Sequence, residues 1–74
     1  MVVTVKLFAT FRAGRFDVAR LEQHDRATIA DVVDGLRIPR HEIGVVLVGG
    51  RHADLSQGLS DGETVSIFPL VGGG

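Results

Sequence analysis

The chain has 74 residues, eight of them basic and nine acidic, with three His, no Cys and a formal net charge of −1. That length makes a single small domain that buries only about 60–65% of its unfolded surface, and the absence of Cys excludes disulfide staples and thiolate chemistry. The scattered charge lacks the basic stripe of a nucleic-acid binder, and the longest apolar run, Val45 to Val48, is far too short to span a membrane.

Val2 to Phe8 is rich in β-branched residues and predicts a first strand, with Val3, Val5 and Leu7 on one face and Thr4, Lys6 and Phe8 on the other. Ala9 to Arg15, with Gly14 and two Arg, reads as a hairpin loop. Phe16 to Leu21 alternates again and predicts a second strand. Thr28 then opens the one clear helix: its hydroxyl caps the first turn while Asp31 reaches back, a capping-box spacing with Asp in place of Glu. Ile29, Val32, Val33 and Leu36 form a single apolar stripe at helical spacing. Gly35 costs about 1 kcal/mol against Ala inside a helix, and Pro39 follows, so the helix is expected to stop soon after Gly35.

Ile43 to Val48 is nearly continuous in apolar residues, the pattern of a central strand or one covered on both faces. Gly49-Gly50 makes a turn, and residues 51 to 60 read as a short strand followed by a turn or one 3₁₀ turn. Ser60-Asp61-Gly62-Glu63 is turn chemistry. Thr64 to Phe68 is the last strand, with Val65 and Ile67 inward and Thr64, Ser66 and Phe68 outward. Pro69 has no N–H for a ladder and is expected to end it.

Beyond Phe68 come Pro69, Leu70, Val71, Gly72, Gly73 and Gly74. Six extended residues reach roughly 20 Å, enough for a terminal carboxylate on unhindered backbone to enter another protein's active site. The expected organisation is a domain over residues 1–68 and a flexible tail over residues 69–74. A mixed sheet with one helix on one face is the economical way to bury a single apolar stripe, which gives an α+β fold. If the first and last strands run side by side and parallel, Phe8 and Phe68 fall at the same end of an otherwise polar outer face, beside the departing tail. Two aromatics so placed make a docking patch. His24, His41 and His52 have no metal-ligand spacing and read as surface residues, so no metal site is expected.

Two segments resemble the ubiquitin-like β-grasp sulfur carriers of the MoaD/ThiS family, and the molybdopterin branch in particular. Val5-Lys6-Leu7-Phe8-Ala9-Thr10-Phe11-Arg12 is similar to that branch's first strand and the Phe-Ala step and Arg after it. Leu59 to Pro69 is similar to its leucine, Asp-Gly turn, last strand and Phe-Pro, and Gly73-Gly74 to its terminal pair. The resemblance implies a β-grasp fold with a mixed four- to five-stranded sheet, and a carrier rather than an enzyme, at most the small, non-catalytic subunit of a sulfurtransferase. It implies that an E1-like adenylating enzyme, using ATP and Mg, joins Gly74 to AMP. Sulfur from the persulfide of a partner sulfurtransferase then leaves a thiocarboxylate at Gly74. A molybdopterin-synthase-like large subunit takes up the tail and passes the sulfur to a pterin precursor. By position, Phe8, Arg12, Phe68, Leu70 and Val71 are the implied partner-facing residues, with no cofactor bound by the chain itself.

The tail departs from that branch in having three glycines and in Leu70, where a second Pro is common, so thiamine-pathway and tungsten-cofactor carriers stay open. A protein modifier conjugated through Gly74 is equally compatible with the tail, although Lys6 is the only lysine from which chains of this protein could grow. The protein is expected to be cytoplasmic, monomeric alone, and without nucleic-acid or membrane partners.

Overall fold

The structure is a computed structural model that describes residues 1–71. Five strands, β1 (Val2–Leu7), β2 (Val18–Glu22), β3 (Ile43–Val48), β4 (Arg51–His52) and β5 (Thr64–Pro69), form one sheet in the order β2-β1-β5-β3-β4. β1 and β5 lie parallel at its centre, with Val5 opposite Val65 and Leu7 opposite Ile67; the other pairs are antiparallel. The one α-helix among the described residues, α1 (Ile29–Gly35), buries its stripe against one face. This is the expected α+β arrangement.

The alternation read from the sequence assigns the faces of the central strands correctly. Val3, Val5 and Leu7 of β1, and Val65 and Ile67 of β5, are fully buried, as are Ile29 and Val33 of α1. Each such side chain contributes about 1.5–3 kcal/mol by leaving water. Thr28 caps α1 in a complete capping box: its hydroxyl accepts from the Asp31 N–H at 3.3 Å, and the Asp31 carboxylate accepts from the Thr28 N–H at 2.9 Å. That second bond holds the Asp31 carboxyl below the usual carboxylate pKa. Arg40, donating twice to Asp34 at 2.7 and 3.1 Å, does the same for Asp34 just outside the helix stripe.

Four expectations are corrected. β2 runs Val18–Glu22 rather than Phe16–Leu21, because pairing with β1 begins only at Lys6 opposite Val18, and Phe16 packs against the core edge instead. The loop from Ala9 to Arg15 contains a 3₁₀ turn, Ala9–Arg12, whose Phe11 is buried in the core. β3 is an interior strand but is not covered on both faces. It lies between β5 and the two-residue β4, so Val46 and Val48 are buried while Gly44 and Val45 face out. β5 continues through Pro69, opposite Ile43; a Pro fits an extended strand end and only withholds its N–H.

Replacing Phe11 by Ala is expected to cost about 3–5 kcal/mol, a large share of a small domain's stability of about 5–15 kcal/mol, measurable by denaturant unfolding. Acid should destabilise through Asp31 and Asp34. Their folded pKa values lie below the ordinary 3.8, so their stabilisation is present above the unfolded pKa and is lost as pH falls through the folded one. Thermal melts from pH 6 downward should therefore show the melting temperature falling below about pH 4, and less steeply in Asp31→Asn.

Candidate functional site

The parallel register of β1 and β5 carries one step past their last pair to Phe8 and Phe68. Their rings stack on the outer face with centroids 4.1 Å apart and planes 13° from parallel. Such a pair is worth about 0.5–1.5 kcal/mol beyond its buried area. The chain leaves Phe8 by a sharp turn at Ala9, which takes a positive φ of 51°, a conformation that costs a residue with a Cβ about 1–2 kcal/mol. The turn sends Phe11 down into the core while Phe8 stays on the surface.

Arg12 lies over this stack. Its guanidinium carbon is 5.5 Å from the Phe8 ring centroid, its Nε donates to the Leu7 carbonyl at 2.9 Å, and Asp17 is 3.6 Å away. Arg12, the last residue of the 3₁₀ turn, is thus pinned back to the end of β1 with about half of its side chain (47%) still exposed. The ring contact contributes about 0.5–1 kcal/mol at an exposed site, and the Asp17 pair little.

At the end of β5 the backbone is still held: the Leu70 N–H donates to the Glu42 carbonyl at 2.8 Å. The Leu70 side chain is 63% exposed and Val71 97%. Phe8, Ala9, Thr10, Phe68, Pro69, Leu70 and Val71 together line a largely apolar groove of about 330 Å³. The structure therefore gathers all five residues nominated as partner-facing at one end of the outer face, Arg12 at its rim. Gly72, Gly73 and Gly74 lie outside the described residues.

The outer face is more apolar than the strand patterns imply. Register sets Val45 opposite Phe68, Leu47 opposite Ser66 and Val18 opposite Lys6, so these three apolar side chains share the aromatic pair's face. Reading β3 as a strand covered on both sides hid Val45 and Leu47. Arg15 was likewise missed: it donates to the carbonyls of Phe11 (3.0 Å), Leu36 (3.0 Å) and Arg37 (3.2 Å), tying the turn under the groove to the C-terminal end of α1. No pattern in the sequence marks an Arg whose partners are backbone carbonyls, two of them some twenty residues away.

Other parts of the surface bring together little chemistry. A second groove, of about 350 Å³, runs along β3 and β4 past His52, Asp54 and Gln57. His24 sits 3.3 Å from Asp31, and His41 4.0 Å from Glu42. Among the described residues no three metal-ligating side chains converge, and no helix is long and apolar enough to cross a membrane.

Residues 4–72 match the family model described as Mut7-C ubiquitin. Among solved structures the chain is similar to the HVO 2177 protein of Haloferax volcanii, at 31% identity and a TM-score of 0.81 over 100% of this chain and 87% of that one. It is similar to SAMP1 of the same organism, the small archaeal modifier protein 1, at 27% identity and a TM-score of 0.78 over 100% of both chains. A third similarity, at 26% identity and a TM-score of 0.78, covers 96% of this chain and 99% of a Pyrococcus furiosus protein described as a putative molybdopterin converting factor, subunit 1. No curated protein sequence matches the chain. The fold is the ubiquitin-like β-grasp shared with these proteins.

A double-mutant cycle over Phe8→Ala and Phe68→Ala, read by denaturant unfolding, is expected to give a coupling of about 0.5–1.5 kcal/mol. The cooperative unfolding transition should survive in both single variants, because both rings stand outside the buried cluster.

Proposed function

This chain belongs to the Mut7-C ubiquitin family, among the MoaD/ThiS-like ubiquitin-like proteins, and on that footing we propose that it is a sulfur carrier loaded at Gly74. The observation that carries the reading is the groove built on the Phe8–Phe68 stack at the point where the chain leaves β5. An apolar patch there lets a partner grip the folded body while the glycine tail enters its active site.

The chemistry is divided accordingly. With Gly74 as the carboxyl terminus, a carboxylate oxygen attacks the α-phosphorus of Mg-bound ATP in an E1-like enzyme; pyrophosphate leaves and an acyl-AMP remains. A persulfide sulfur of a sulfurtransferase attacks the acyl carbon and AMP leaves. A thiol then exchanges with the resulting acyl disulfide and releases the thiocarboxylate. The acceptor favoured here is a large subunit that passes sulfur to a pterin precursor, in keeping with the similarity to a protein described as a subunit 1. This chain contributes the reacting end and the docking surface, and the glycines, having no Cβ, leave the carbonyl open to approach. Catalytic groups belong to the partners.

The similarity to SAMP1 favours a second reading, a modifier in which a lysine amine rather than sulfur takes the activated carbonyl. Activation is common to both. Mass spectrometry of the protein from its own cells separates them. A carrier is expected to show a mass gain equal to sulfur replacing oxygen at the terminus, whereas glycine remnants on lysines of other proteins assign the modifier role. Deleting Gly73 and Gly74 is expected to abolish either product, and a deletion that leaves cellular function intact overturns both.

A further inference from the structure

Gly44 sits where the end of β5 runs closely alongside β3. A Cβ built on it meets the Pro69 carbonyl oxygen at 2.7 Å, and the Leu70 Cα and Pro69 carbonyl carbon at 3.0 Å each. All three are backbone atoms that cannot rotate aside, and a 2.7 Å approach is closer than a Cβ tolerates. The β3–β5 register shifts at this point: Val45 faces Phe68 while Ile43 faces Pro69, which leaves Gly44 as the extra residue of a bulge. Immediately beyond, the Leu70 N–H is bonded to the Glu42 carbonyl at 2.8 Å. The bulge, the missing side chain and the hydrogen bond together fix the direction in which the chain leaves the sheet.

We propose that Gly44 is a positioning residue for the tail: it lets the Pro69–Leu70 backbone lie against β3 and so sets the point at which the chain leaves the body for the partner's active site. The inference rests on the carrier reading, since aim matters only where the tail is delivered to another protein's chemistry. Docking and delivery then belong to different groups. The Phe8–Phe68 stack sets how tightly a partner holds the body, and Gly44, through the Pro69–Leu70 backbone at the groove's edge, sets whether the held body presents its end correctly.

The variant Gly44→Ala forces one of the two backbones to move, and the test has two parts. Amide hydrogen exchange followed by NMR is expected to show the Leu70 amide protected relative to that of Val71 in the wild-type chain. In Gly44→Ala that protection should be lost, while the amides of Val65 and Ile67 exchange as before. Pyrophosphate exchange with Mg-ATP and the adenylating enzyme that co-purifies with the chain should show kcat lower by about tenfold to a hundredfold. KM for the carrier should change by less than kcat does, because the Phe8–Phe68 stack of the docking groove lies outside the displaced Pro69–Leu70 backbone.

Equal protection and equal kcat in the two chains overturn the proposal. So does a wild-type Leu70 amide that exchanges as fast as that of Val71, which decides the matter even if Gly44→Ala fails to fold. A wild-type chain that no enzyme adenylates overturns the carrier reading instead, and the exchange at Leu70 then decides separately whether Gly44 holds the tail root.

Discussion

The parallel pairing of β1 with β5 is the constraint on which the rest of the molecule depends. It joins residues 4–7 to residues 64–67, so the two ends of the sequence meet at the centre of the sheet. On the inner face that register brings Val5, Leu7, Val65 and Ile67 under α1 and closes the core. On the outer face the same register, carried one step further, lays Phe8 on Phe68. A slip of one residue would move each set to the opposite face and dissolve both core and stack together. Core and groove are two sides of one register.

Around that pairing the groove is held from beneath rather than from its own contacts. Phe11 anchors the turn that follows Phe8, and Arg15 binds the same turn to the end of α1 through three carbonyls. The half-buried rings are therefore presented by backbone whose position the core decides. In the proposed role this matters because a partner's affinity and its chemistry are supplied at different places. A rigid patch gives the affinity, and a bare backbone end gives the reacting atom. The strain at Ala9 sits in the link between patch and core, and buried Phe11 offsets it.

Much of this was legible in the sequence because alternation is a strong signal wherever one face of a strand is buried. Val3, Val5, Leu7, Val65 and Ile67 could be assigned without coordinates, as could the cap formed by Thr28 and Asp31. The illegible parts are those set by long-range register or by backbone acceptors. Ile43 to Val48 looks uniformly apolar, yet half of it faces out, because the outer face shares its apolar surface with Phe8 and Phe68. Phe11 reads as a loop residue, since no periodicity survives in a single 3₁₀ turn. Gly44 is one of ten glycines, and only the close approach of the Pro69–Leu70 backbone distinguishes it.

In the proposed role, partners grip the folded body at the groove beside the tail root. The most direct measurement is an NMR titration of the isotopically labelled chain with its adenylating enzyme. The account expects the largest shift changes and line broadening at Phe8, Thr10, Phe68, Leu70 and Val71, fading across the outer face through Val45 and Lys6. Changes concentrated instead on the exposed side of α1, around Asp31 and Asp34, with the groove resonances unmoved, would contradict it.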